Sequence, residues 1–454
     1  MSTTGTVRND RDGLPWFSES FFSRHPAMKK TRAIYFKILL MASMLIILII
    51  LGFLSIYWGA LWKTFAAVHK LEGWIIDFDG GEVGQYVSQA LAATSGPPDT
   101  MTWTVKSASD FSNDTESLID LVVNEHTWAL VSINAGASDK LDAAVAAADS
   151  SYNGSLAVTI YVEEARNENS YAEMLHPIVT GLMDSIVQQH TAQFTQQLGG
   201  SSNNLSNLLS TAPNVVSNPA SYTIYNTRPF DVAVATAVDF VGLIYLLIIS
   251  FVISLQNFGA REATGISHRL NMTSLILLRL LVPIIMYFYL SAFFALLSLA
   301  FQVPFSRVFG ASGFVIYWML AWLGMCALGL AVEAFITLLT ARFIAVFLIL
   351  WIISNVSVSF FPLDLLPGVF KYGYATPFYN VSCGVRTIIF NTKNRLGLNF
   401  GVLIAWVAVS CITITLFTYI IQRRNIRQRE EIWRKEDAQR EKEVVDEEVY
   451  PTAM

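Results

Sequence analysis

The 454 residues are 53% hydrophobic, 13% aromatic and only 14% charged, whereas an average soluble domain is about 25% charged. That shortage, with a mean hydropathy of +0.46, excludes an ordinary cytosolic enzyme. The net charge of -5 conceals an asymmetry: residues 63–235 hold 19 Asp/Glu against 6 Lys/Arg, and residues 1–37 hold 7 Lys/Arg against 3 Asp/Glu. The large soluble segment is therefore acidic, which argues against nucleic acid as a partner. Three scattered cysteines, Cys326, Cys383 and Cys411, give neither a disulfide framework nor a zinc site.

A helix needs roughly 20 apolar residues to cross about 30 Å of hydrocarbon. The first such run, Ile38 to about Tyr57, follows Lys29, Lys30, Arg32 and Lys37 and reads as an uncleaved anchor. Further runs lie near 236–257, 279–301, 312–333, 343–361 and 398–421. The fourth and fifth are separated by a short turn around Glu333 to Arg342. Merging them is the alternative, but such a run would overshoot the bilayer. Six spans put the N-terminal tail, the Arg261–Arg269 loop and the Arg423, Arg424, Arg427, Arg429 cluster on one side, the cytosol by the positive-inside bias. One loop resists: Lys371, Arg386, Lys393 and Arg395 face a single acid, Asp364, on the opposite side.

Between the first two spans, short β-rich runs alternate with helical ones. WIIDFDGG (74–81), MTWTVKS (101–107), TWALVSINA (127–135) and LAVTIYVEEA (156–165) read as strands, and the intervening segments carry apolar residues at helix spacing. A long helix, Tyr171 to Leu198, and a polar linker follow. The pattern predicts an extracytosolic α/β or α+β domain. Three glycosylation triplets begin there, at Asn113, Asn153 and Asn204, and a fourth begins at Asn380. Asp77 and Asp79, two apart on a strand, could face a cation, although a solvated turn is the plainer reading.

The chain has no Gly-x-x-x-x-Gly-Lys-Ser/Thr phosphate loop, no Gly-x-Ser-x-Gly elbow and no His-Glu-x-x-His pair. No catalytic set, cofactor or metal is expected, and ATP-driven work would need a separate ATPase. All six histidines lie outside the expected spans. Asp239, Arg279, Glu333 and Arg342 fall near span ends. Glu333 and Arg342 could pair across their turn. Asp239 is either a wetted span end or the lining of an outward vestibule that recognises a cationic or polar substrate.

The segment FPLDLLPGVFKYGYATPFYN (361–380) resembles the proline-framed re-entrant end of the fifth span in type-two ATP-binding-cassette exporters, and GAREATG (259–265) resembles their coupling segment. Over about residues 30–425, WIIDFDGGEVGQYVSQAL, WALVSINAGASDKLDAA, SLAVTIYVEEARNENSY and KYGYATPFYNVS resemble the fungal nitrosoguanidine-resistance proteins, otherwise a domain family of unknown function. Gly136 and Asp139 stand where that pattern is closer to INANATSKL, so one expected glycosylation acceptor is absent. The resemblance implies a multi-pass membrane protein that confers resistance to toxic small molecules and carries over no site residues.

The expected organisation is therefore a cytosolic tail (1–37), a first span (38–60), an extracytosolic α/β domain with linker (63–235), a five-helix membrane domain (236–421) with an outer re-entrant segment (362–397), and a charged cytosolic tail (422–454). By analogy the protein is a homo- or heterodimeric efflux subunit that meets lipids and amphipathic compounds, in the plasma membrane or an endomembrane. The competing expectation is a regulatory or scaffolding protein with an indirect effect on resistance.

Overall fold

In the computed structural model, residues 19–200 and 202–449 are described, with side chains described outside 202–204 and up to Arg440. The first unit of the chain ends at Gly59. Its helix α1 (Pro26–Ile49) opens on a proline, whose missing N–H costs nothing at a first helical position, and His25 Nδ1 accepts a hydrogen bond from Ala27 N at 3.3 Å. The helix passes through a π turn at Ile50–Leu54 and continues as Ser55–Leu61. It thus starts within the basic tail, ahead of the apolar run.

The second unit begins with the sheet domain. In chain order it contains β1 (Glu72–Asp77), α2 (Glu82–Ala93), β2 (Thr102–Lys106), α3 (Thr115–Val123), β3 (Ala129–Ile133), α4 (Ala137–Ala147), β4 (Val158–Val162), α5 (His176–Gly199) and β5 (Tyr222–Asn226). The strand order is β2-β1-β3-β4-β5. All neighbours are parallel except β3 and β4. A parallel β4–β5 pair needs a long crossover, and α5 with the short helices Ser202–Thr211 and Pro213–Ser217 supplies it. The polar stretch 199–214 read as a linker from sequence therefore carries these short helices, and a fifth strand not expected from sequence follows it. All five residues of β3 are buried, as expected for a central strand covered on both faces. One face packs Ile76, Leu130 and Tyr161 against Leu118 and Val122 of α3.

The Asp77–Asp79 pair belongs to the β1–α2 turn. Asp79 accepts hydrogen bonds from Ser138 N (2.9 Å), Ser138 Oγ (2.6 Å), Gly84 N (3.2 Å) and Gly81 N (3.3 Å), while Asp77 accepts from Asp79 N and Gly80 N at 3.0 Å each. Burial pushes the Asp79 carboxyl upward, but these donors outweigh it and hold the pKa below its ordinary value. Asp79 thereby ties the starts of α2 and α4 together, and Asp77 closes the turn between β1 and α2. Gly84 is required there, since a Cβ would lie 2.2 Å from Asp77 Oδ1.

The rest of the second unit is a helical bundle of α6 (Val241–Thr264), α7 (Met272–Ala300), α8 (Ser312–Val356), the shorter α9 (Pro377–Phe390), which is not long enough to span, and α10 (Leu396–Val449). Among the described residues, five helices in all are long and apolar enough to cross a membrane, and the protein is a multi-pass helical membrane protein. Helix α8 packs against α6, α7, α9 and α10 and forms the centre of this bundle. Its contact with α7 depends on Gly329, where a Cβ would lie 2.3 Å from Tyr287 Oη.

Helix α8 is not straight. Thr340 has φ 63° and ψ 168°, and the rings of Phe335 and Phe347 stack with centroids 4.1 Å apart. Twelve residues of straight helix would separate them by about 18 Å. The chain therefore folds back at Thr340, inside the interval where sequence places a turn. Glu333 and Arg342 do not pair across it. Glu333 contacts Arg261 and Arg279 instead, while the Arg342 guanidinium lies 5.6 Å from the Phe343 ring.

Candidate functional site

The second unit has a sheet end and a far end, each marked by its own set of ionic contacts. At the sheet end, Arg307 pairs with Asp231 at 2.8 Å, and Asn167 Nδ2 donates to Phe360 O at 3.1 Å. Arg228 Nε also donates to Asn391 O at 2.9 Å. Between the sheet domain and the segment from the end of α8 to Arg395 lies a cavity of about 270 Å³.

The cavity is built from loop ends that the fold brings together. Glu125 follows α3 with φ 60°, Trp128 leads into β3, and Arg166 ends the turn after β4. The Arg166 guanidinium lies 3.4 Å from the Trp128 ring centroid, a cation–π distance. Arg166 also donates to Thr127 O at 3.1 Å and lies 3.9 Å from Asp364. Across the cavity, Glu125 takes a 2.6 Å hydrogen bond from Arg395 and lies 3.9 Å from Lys393. Tyr374, Tyr379, Phe361 and Leu363 add apolar and aromatic wall. Such a chamber can hold an amphipathic molecule, with its flat or apolar part on the aromatics and a polar group at the guanidiniums.

Arg386 of α9 also lines the cavity and is 5% exposed. Its Nη2 is 2.6 Å from Glu168 Oε2 and 3.0 Å from Asp239 Oδ2, and its Nη1 donates to Ala165 O at 3.2 Å. The two carboxylate contacts are close but are not aligned as hydrogen bonds, so their attraction is chiefly coulombic. Behind this group Glu163 is 2% exposed, and neither of its carboxylate oxygens has a partner among the described residues. Burial, aided by Glu125 and opposed by Arg166, Arg228 and Arg386, pushes its pKa up to about 8.

Asp239 is therefore neither a wetted span end nor the surface of an open vestibule. It is fully buried, and it lies behind Arg386 because the short helix Thr236–Asp239 packs against α9. Three of the four basic residues of the loop that resisted the positive-inside bias have acidic partners. Arg386, Lys393 and Arg395 face Glu168, Asp239 and Glu125, the acids of the sheet domain and its exit. An excess of Lys/Arg in 362–397 opposite an acidic domain was the signal for these partners. Trp128 with Arg166 had no sequence signal, because their contact joins separate strands.

Asn113 and Asn153 are exposed, as a glycan acceptor must be. Asn204 lies in the helix Ser202–Thr211, and its side chain falls outside the described set. Asn380 is a correction. It is 2% exposed inside α9, and its amide donates to Tyr374 O and Thr376 O at 2.9 Å each, which leaves no approach for a glycosyl donor. A larger depression of about 490 Å³ lies on the sheet domain beside α4, lined by alanines with Lys140 and Asp149. It offers far less to recognise than the sheet-end cavity.

At the far end of the bundle, Glu333 is fully buried, accepts a hydrogen bond from Arg279 Nε at 2.9 Å and lies 2.8 Å from Arg261 Nη2 as an ion pair. Arg279 also donates to Glu333 O (2.8 Å), to Thr418 Oγ1 (2.9 Å) and to Thr337 Oγ1. These contacts join α6, α7, α8 and α10.

The family described as "Protein of unknown function (DUF3533)" matches residues 42–412. The chain belongs to this family. The DUF3533 match spans the sheet domain, the cavity and both ionic clusters, and stops short of the charged C-terminal extension. An uncharacterized endoplasmic reticulum membrane protein of Saccharomyces cerevisiae is 26% identical over 444 residues, covering 88% of this chain and 83% of that protein. No solved structure matches the chain.

Proposed function

We propose that this DUF3533 protein is an exporter-like membrane subunit that receives amphipathic toxic compounds in the sheet-end cavity and draws its energy from elsewhere. The observation that carries this reading is the cavity itself, where Trp128 and the tyrosines adjoin Arg166, Arg386 and Arg395 beside a proline-framed segment at the bundle end. The ionisable groups inside the bundle support the absence of an internal motor. Glu333 is held between two guanidiniums, and a clamped carboxylate is ill-suited to carry protons along a relay. Dimerisation, as in paired exporter halves, belongs to the proposal by analogy alone.

In this reading the two arms of α8 are separate crossings, six in total, with both termini cytosolic and the sheet domain extracytosolic. The relative's printed name favours the endoplasmic reticulum over the plasma membrane. Orientation is tested by glycosylation. Asn113→Gln and Asn153→Gln should each remove one endoglycosidase-sensitive band shift and Asn380→Gln none. Resistance of the intact protein to endoglycosidase would overturn the lumenal placement.

Function is tested with full-length protein in liposomes that trap an amphipathic fluorescent dye. The wild type, alone or with a co-purified ATPase, should release the dye, and Trp128→Ala should lower the rate several-fold. Absence of flux in both preparations would sink the exporter reading. A regulatory role is the second reading, favoured by Arg386, which links the sheet domain to α9 and could pass a binding event into the bundle.

A further inference from the structure

The far-end cluster is unbalanced. Arg261 and Arg279 are 5% and 4% exposed, and they share one buried carboxylate, that of Glu333. Arg279 is satisfied by Glu333, Thr418 and Thr337, whereas Arg261 reaches only Glu333 Oε1, and its Nη1 has no acceptor among the described residues. Glu333 Oε2 is also unpartnered, but Glu333 does not line the adjoining space. An uncompensated buried charge costs several kcal/mol, so the site is poised for an anion.

Both arginines line a cavity of about 120 Å³ whose wall also includes His268, Gln422 and Asn425, with Phe258 and Leu275 on the apolar side. A single water needs only about 10–15 Å³ of such space, so the cavity has room for a larger polar group. Glu262 is the acid at the rim; it is exposed and makes no ion pair with Arg261. Planar guanidinium forks suit phosphate oxygens, and apolar walls at a span end suit the glycerol and acyl stem of a lipid.

We infer that the far-end cavity binds a phosphate group, with Arg261 Nη1 as its unmatched donor and Arg279 as the fixed charge beside it. Two sources share this chemistry: the phosphomonoester head of a lipid such as phosphatidic acid, and free phosphate. The site is separate from the sheet-end cavity, and its occupancy does not depend on the exporter reading. Phosphate chemistry here would let the protein respond to the anionic lipid around its spans.

The test uses full-length protein in neutral detergent, titrated with short-chain phosphatidic acid, phosphatidylcholine or inorganic phosphate, with thermal midpoint and native mass spectrometry as readouts. Phosphatidic acid should bind and raise the midpoint, with phosphatidylcholine inert. Arg261→Gln should weaken binding at least tenfold while keeping its fold, because it leaves a balanced Arg279–Glu333 pair. Arg269→Gln, an exposed neighbouring charge, should change affinity less than threefold. Binding of inorganic phosphate as tightly as phosphatidic acid would support the site and identify the free ion as its ligand. No binding of either phosphate, or equal binding by Arg261→Gln and wild type, would overturn it.

Discussion

Glu333→Gln is expected to destabilise the protein by about 3–5 kcal/mol, the usual cost of removing one partner from a buried ion pair. The carboxylate is fully buried and is the common counter-ion of Arg261 and Arg279 at 2.8 and 2.9 Å. Gln has nearly the same shape, so the loss is almost purely one of charge, and two guanidiniums are left facing each other away from water. The effect should be asymmetric. Arg261→Gln leaves a neutral pair and should cost far less, while the double variant Arg261→Gln/Glu333→Gln should recover part of the loss, a positive coupling between neighbours. Thermal midpoints of the purified protein in detergent, with the yield of folded protein, provide the comparison. A Glu333→Gln midpoint equal to wild type would show that the trio does not hold α6, α7, α8 and α10 together.

Local sequence does not encode this trio. The charges near the span ends were visible, and Glu333 and Arg342 invited pairing because they are close in the chain. The fold instead turns back at Thr340 and brings Glu333 to Arg279, 54 positions away. Local spacing therefore located the turn but not the partners. The four strands with alternating or continuous apolar runs were legible, since burial imposes its period directly on the sequence. The fifth, Tyr222–Asn226, was not: only five residues long and bounded by Asn-Pro and Arg-Pro, it alternates polar and aromatic side chains that look like linker. Asp239 and Asn380 show the same limit from the other direction. Each has a sequence context that suggests exposure, and each is enclosed by α9 and its surroundings, which no local window contains. The charge excess of residues 362–397 was the one long-range signal in the sequence, and its partners proved to be the acidic domain that follows the first span.

Arg386→Met should have a comparable effect on stability, about 3–5 kcal/mol, but at the opposite end and with a different signature. Methionine fills much of the arginine's volume, so packing is largely kept while Glu168 and Asp239 lose their shared cation at 2.6 and 3.0 Å. Glu168 belongs to the sheet domain and Asp239 to the entry of α6, so the substitution loosens the attachment of that domain to α9 as well as lowering stability. Hydrogen exchange should therefore rise first in residues 163–170 and in α9, with the strands β1 to β3 protected as before. Asp239→Asn added to Arg386→Met should restore part of the midpoint, because it removes the fully buried carboxylate; Glu168→Gln should restore less, since that side chain is 16% exposed and already meets water. A stability within about 0.5 kcal/mol of wild type, the range of an ordinary surface substitution, or an unchanged exchange pattern in α9, would mean that the sheet domain is held by the side-chain hydrogen bonds of Asn167 and Arg228 to the Phe360 and Asn391 carbonyls and that Arg386 serves the cavity alone.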